Sequence, residues 1–224
     1  MDRYFQIEAT IDRKIIGRSE LSLTVEVNDK RFLAFRSEKL VDINKYFEME
    51  NIYKNFPKDI KGKMYQKKKT PIDIMQVMPS CLTLKYVVSE KVQEILQTIV
   101  NDESQYHFEE ITIDGSSQKF FFLFIPFLKS SEYIDYSKTV FYNSSNKEKV
   151  IFGDFETYEV QKKINNYLFK ELYVSKEVRD RKIFSFPVAG TFYCNSIIEA
   201  FERENVIGYD IVNGGDFKVN LIFE

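Results

Sequence analysis

The sequence predicts an α+β fold, a mixed or mainly antiparallel sheet flanked by helices, and three observations carry that reading. Residues 21–27 alternate, with Leu21, Leu23, Val25 and Val27 on one side of a strand and Ser22, Thr24 and Glu26 on the other. Val92, Ile95, Leu96 and Ile99 recur instead at the spacing of one helix face, as do Ile197, Ile198 and Phe201. The aromatic residues, 21 Phe and 14 Tyr with no Trp, concentrate in strand-like segments, which suits a sheet-rich core with helices against it.

Taken in order, the strand over 20–27 is followed by Asn28-Asp29-Lys30, which turns the chain into Arg31–Arg36. That segment reads either as a hairpin partner or, through Phe32 and Phe35, as a short helix. Residues 51–80 combine closely spaced lysines with Gly62 and prolines at 57, 71 and 79. Such a composition interrupts regular structure, so this stretch is expected to cross the surface, pinned by Ile72 and Met75. Ser89 is placed to cap a helix with Glu90 in its first turn, ending near Asn101-Asp102. Phe108, Ile111 and Ile113 lead through Asp114-Gly115-Ser116-Ser117 into the apolar run Lys119–Phe127. Because that run is apolar on both faces, it is expected as a central, covered strand.

Residues 132–142 continue as an extended piece and Asn143–Glu148 as a polar loop. Tyr167–Val174 reads as a strand passing at Ser175 into a short helix. Val174-Ser175-Lys176-Glu177-Val178 echoes Val88-Ser89-Glu90-Lys91-Val92, so one strand-to-cap passage is written twice. Phe192–Arg203 is a second helix, Val206–Val212 a strand, and Asn213-Gly214-Gly215 a turn. The alternation of Phe217, Val219, Leu221 and Phe223 then predicts an edge strand with one wet face. This reading gives a β-rich N-terminal lobe over 1–50, separate from or continuous with the main fold, a connecting segment over 51–80, and a main α+β domain over 81–224.

The balance of 44% hydrophobic and 29% charged residues is that of an ordinary globular chain. With 32 basic and 34 acidic residues the formal charge is -2, and the basic run Lys58–Lys69 has no stacking partner beyond Tyr65. No nucleic-acid partner is therefore expected. The first fourteen residues lack an apolar signal core and no segment has the length of a membrane span, so the expected address is the cytoplasm, without a membrane partner. Cys81 and Cys194 lie in apolar surroundings and read as buried thiols.

Candidate chemistry is sparse. His107 is the only histidine, which excludes a histidine-based zinc cluster, and it is expected to face solvent. Cys194 lies near a helix start, where a thiol is activated or simply packs. Asp59, Asp73, Asp135, Asp154 and Asp210 could pair as carboxylates or serve as turn formers and caps. Asn213-Gly214-Gly215 lies between strands, where glycines supply left-handed turn geometry and no phosphate cradle. No catalytic residue, cofactor or metal is expected. Tyr133, Tyr136, Tyr142 and Tyr158 cluster with Asp135 and Asp154, the composition of aromatic anchors within a polar rim, and are the expected protein-contact residues. The competing reading has these tyrosines bridging core and solvent.

Pro71-Ile72-Asp73, the stretch Tyr86–Val92, Ile134-Asp135-Tyr136-Ser137, the stretch Leu172–Val178, and Gly208-Tyr209 occur in an order that resembles the immunity protein 11 family of bacterial polymorphic toxin systems. The resemblance spans about residues 50–212. It departs from the family at Tyr136, where a tryptophan is typical. It implies neutralisation of a cognate toxin by protein contact, with that toxin as partner, and assigns no catalytic residues. Two alternatives stand beside it: a carboxylate-based hydrolase or modifying enzyme using Asp135 with a second acid, and a non-catalytic scaffold.

Overall fold

The computed structural model describes residues 3–17 and 21–224. In chain order the strands are β1 (Tyr4–Phe5), β2 (Ile7–Ala9), β3 (Thr24–Glu26), β4 (Ile60–Met64), β5 (Ile74–Met78), β6 (Leu84–Ser89), β7 (His107–Ile113), β8 (Phe120–Phe124), β9 (Val140–Asn143), β10 (Lys149–Val150), β11 (Tyr167–Val174), β12 (Ile183–Phe186), β13 (Gly190–Cys194), β14 (Tyr209–Ile211) and β15 (Asn220–Phe223). The helices are α1 (Arg13–Ile16), α2 (Lys30–Lys39), α3 (Ile43–Glu48), α4 (Glu90–Ile99), α5 (Ser130–Tyr133), α6 (Phe155–Gln161) and α7 (Asn195–Arg203). With 26% helix and 31% strand in mixed and antiparallel sheets, the class is α+β.

The chain forms two compact units. One comprises Glu8–Pro126 with Ser196–Asp210; the other comprises the residues up to Ile7, Phe127–Asn195 and Ile211–Glu224. The division therefore falls at Pro126 and not near residue 50 or 80.

The first unit is a closed barrel in the order β3-β4-β7-β8-β6-β5. β3 pairs parallel with β5 and β4 with β7, while the other neighbours are antiparallel. β8 is laddered on both sides, the central place its two apolar faces demand. Phe32 from α2 stacks on Phe122 at 5.3 Å, and Phe56 meets Phe122 and Phe124 edge-on at 5.7 and 5.4 Å. Each such pair adds about 1 kcal/mol to what burial alone contributes.

The expectation of a connecting segment is corrected here. Residues 51–80 are no connecting segment, because they supply β4 and β5 to the barrel. Along β4, Ile60 and Gly62 are buried while Lys61 and Lys63 are exposed, so those lysines mark the wet face of a strand. Gly62 allows the closure: a Cβ there would lie 2.7 Å from Val25 Cγ1 and 3.0 Å from Ile111 Cδ1. Of the two readings of residues 31–36 the helix holds, because Asp29 accepts the N–H groups of Arg31 (2.8 Å) and Phe32 (3.4 Å) and starts α2, with Phe32 and Phe35 buried. The strand read over 20–27 shortens to β3, its position Glu20 lying outside the described residues. Its polar positions turn inward, Ser22 Oγ donating to the Ala9 carbonyl and Thr24 Oγ1 to that of Ser22, both at 2.9 Å.

The second unit holds an antiparallel sheet β1-β13-β12 and a sheet β10-β9-β11-β15, in which β15 runs parallel to β11. Their shared core is aromatic: Tyr136, Phe141, Tyr158 and Phe169 on one side, Phe184, Phe186 and Phe192 on the other. Within 132–142 the expected extended piece is reduced to β9, after the helical turn α5. The helix expected from Phe192 begins only at Asn195, since Phe192–Cys194 complete β13. β2 and β14 form a separate two-stranded pair.

Candidate functional site

In the two-sheet unit, β1 and β15 run side by side in opposite directions without sharing a ladder. The Tyr4 ring lies 5.4 Å from the Phe223 ring, and Gln6 Oε1 accepts the Val219 N–H at 2.9 Å. Gln6 is held by its Nε2 donating to the Ala189 carbonyl (2.9 Å) and by its own carbonyl accepting the Val212 N–H (3.0 Å). The Tyr4 hydroxyl sits 2.6 Å from the Arg179 carbonyl and 2.9 Å from that of Arg181, which ties the Arg179 segment to β1.

Between these elements opens a groove of about 620 Å³. Tyr4 and Phe223, both half-buried, give it aromatic surface over the buried Phe192, and Arg3, Arg179 and Lys218 give it positive charge, with no carboxylate in the lining. The Arg179 guanidinium lies over the Phe223 ring at 5.5 Å and that of Arg3 over Phe5 at 4.9 Å, positions in which the ring face steadies the cation without neutralising it. Among the described residues none of these three cations forms an ion pair, and the Arg179 Nε–H is buried without a hydrogen-bond partner. An unmet donor of this kind costs about 1–3 kcal/mol unless something accepts from it. A smaller cavity of about 150 Å³ shares Gln6 and Val219 with the groove and carries Phe217, 75% exposed, and Val188, 51% exposed. A cationic cleft thus continues into the apolar surface of Phe217 and Val188, beside Asp216, whose carboxylate lies 3.8 Å from both Lys147 and Lys170.

The residues expected to make protein contacts lie in the same unit, but not in this groove. Tyr136 and Tyr158 are 4% and 2% exposed and their rings, 5.2 Å apart, belong to the core, so they offer a partner no surface. The Tyr142 ring is covered by Lys147 and Lys170 at 5.8 and 5.7 Å, and Tyr133 packs against the core. Asp135 accepts from Ser137 through its N–H (2.9 Å) and Oγ (2.5 Å), and these bonds, with Lys138, hold its carboxyl below the usual range. Asp154 caps α6 by accepting the Thr157 N–H at 2.7 Å, which likewise lowers its pKa.

In the barrel unit His107 is half-buried, a correction to the solvent-facing expectation. It stacks on Tyr53 at 4.5 Å and meets Glu109 at 2.9 Å, while Lys58 reaches the other Glu109 oxygen at 2.6 Å. Burial pushes the Glu109 carboxyl up, but His107 and Lys58 outweigh it and hold the net value down. A separate cavity of about 550 Å³ is lined by Glu8, Lys85 and Tyr86, and burial lowers the Lys85 ammonium to about 8. Cys81 is pushed up to about 12 by burial, which removes it as a nucleophile near neutral pH. Among the described residues no group of His, Cys, Asp and Glu is arranged to hold a metal ion, and no helix is long and apolar enough to cross a membrane.

No protein-family model matches the chain, and no curated protein matches it. The resemblance to immunity protein 11 rests on its motifs alone.

The groove was hidden from sequence reasoning because Arg3, Arg179 and Lys218 stand far apart along the chain. The one local signal is the basic run Arg179-Asp180-Arg181-Lys182.

Proposed function

We propose that the protein is an immunity-type binding protein that neutralises a cognate toxin by protein–protein contact, using the groove between β1 and β15. The observation that carries this reading is the set of three cations on an aromatic surface, with no carboxylate among them and an unmet Arg179 donor. Arginine and exposed aromatic residues around a desolvated cleft are the usual source of binding energy at protein interfaces. Phe217 and Val188 extend the cleft with apolar surface that a partner would cover.

Catalysis by carboxylates gains no support. Asp135 and Asp154 are committed to a turn and a helix cap, and both are held ionised, which suits neither to donate a proton.

The test is protection. Each adjacent gene product that is toxic when expressed alone is expressed in cells with the wild-type protein or with the double variant Arg179→Glu, Lys218→Glu. The proposal expects growth with the wild type and loss of growth with the variant at equal soluble abundance. Growth with both the wild type and the variant moves the contact elsewhere, and growth with neither removes the toxin reading.

A further inference from the structure

Resting on the proposal that this groove binds a partner protein, we infer the mode of binding: an extended, acidic segment of the partner adds as a strand to the open edge of β15. Three observations support this mode. Glu224 donates its N–H to the Val174 carbonyl (3.0 Å) and accepts the Lys176 N–H at its own carbonyl (2.8 Å), so its backbone groups face β11. Successive residues of a strand point these groups to opposite edges, which turns the N–H and C=O of Phe223 and Leu221 away from β11. Val219 obeys the same alternation, its N–H pointing to Gln6 Oε1.

Gln6 therefore caps the edge at Val219, and the open run begins at Leu221. No backbone partner other than β11 meets Leu221 or Phe223 among the described residues. This edge borders the groove, and an edge left unpaired beside a cleft is a template for an incoming strand.

Charge fixes the chemistry of that strand. Arg179 and Arg3 stand at the Phe223 end and Lys218 beyond the Val219 end. Lys218 and Phe223 are five residues apart on an extended chain, roughly 17 Å at 3.3–3.4 Å per residue. A segment of about seven residues with a carboxylate near each end and apolar residues facing Tyr4 and Phe223 satisfies both cationic ends and the aromatic surface.

The test uses a blocked seven-residue peptide of alternating valine and threonine with aspartate at both ends. It is titrated into the full protein, with backbone amides followed by NMR. Expected are shifts centred on the Leu221 and Phe223 amides. A matched peptide N-methylated along one edge and one with lysine at both ends should each bind at least about tenfold more weakly, a loss of about 1.4 kcal/mol. Equal binding of the N-methylated peptide, shifts confined to other residues, or no shift up to about 5 mM peptide would overturn strand addition. If the toxin still needs Arg179 and Lys218 while the peptide fails, strand addition falls and the groove keeps its role. If the toxin ignores both residues, the groove reading itself falls.

Discussion

Asp73 accepts a hydrogen bond from the Ser89 hydroxyl at 2.7 Å, joining the approach to β5 with the end of β6. Its second oxygen receives the Lys91 ammonium at 2.8 Å and the Ile207 N–H at 3.0 Å, and its carbonyl accepts the Ser89 N–H at 2.9 Å. Three of the motifs behind the family resemblance, at 71–73, 86–92 and 208–209, thus converge on one barrel site. Gly208 completes it with φ +108° and no room for a side chain, since a Cβ would lie 2.2 Å from the Ile74 carbonyl oxygen.

Asp73→Ala leaves the Ile207 N–H and the Ser89 hydroxyl without their acceptor, at a cost of about 2–4 kcal/mol. Gly208→Ala costs about 2 kcal/mol or more through the clash and the left-handed backbone. Urea unfolding measures both, and a loss below about 0.5 kcal/mol for either would show that this junction does not bear on stability.

Glu109 gives the barrel an acid sensitivity. Its folded pKa lies below the unfolded value of 4.5 because His107 and Lys58 together outweigh burial. The stabilisation is therefore complete above 4.5 and is lost as pH falls through the lower folded value. In Glu109→Gln the slope of unfolding free energy against pH should flatten below pH 4.5, where the wild type loses stability. An unchanged slope would contradict the pairing.

Lys85 shifts stability with pH in the same sense, but on the alkaline side and through a penalty on its charged form. Burial lowers it from 10.5 to about 8, so the folded state binds fewer protons than the unfolded state between those values and stability rises with pH across that window. Below pH 8 the penalty for the buried ammonium is fully present. Lys85→Met should therefore raise stability at pH 7 by about 1 kcal/mol and remove the alkaline rise. A destabilised variant would mean that the partners of Lys85 outweigh its burial.

Much of the barrel is legible in the sequence where periodicity is strong. The apolar faces of α4 and α7 lie as their spacing predicts, and β8 is central as its two apolar sides require. Local chemistry misled where tertiary closure overrides it. The lysines around Gly62 look like a loop until the glycine's close approach to Val25 places them on a strand. The repeated valine-serine passage is the same strand exit in both places but not the same cap. Ser175 accepts the Glu177 N–H at 3.3 Å, whereas Ser89 spends its hydroxyl on Asp73.

The tyrosines at 136 and 158 illustrate the other limit. Their sequence neighbourhood is polar, yet the turn after α5 and helix α6 place them on Phe141 of β9 at 5.9 and 5.0 Å. The groove, assembled from β1, β15 and the Arg179 turn, has no contiguous signature to read.

Phe217 should matter to binding and not to folding. Its ring is 75% exposed, so Phe217→Ser should change unfolding free energy by less than about 0.5 kcal/mol. Toxin affinity should fall about tenfold or more if the ring is an interface anchor. A stability loss without an affinity loss would assign Phe217 to the fold.

The most direct test of the groove's proposed role is a calorimetric titration of the proposed toxin partner, sought among the products of the adjacent genes, into wild-type protein and into the Arg179→Glu, Lys218→Glu variant. The account predicts measurable association that weakens with added salt and falls at least about a hundredfold in the variant, about 2.7 kcal/mol. Equal affinity of the two proteins, insensitive to salt, would contradict it.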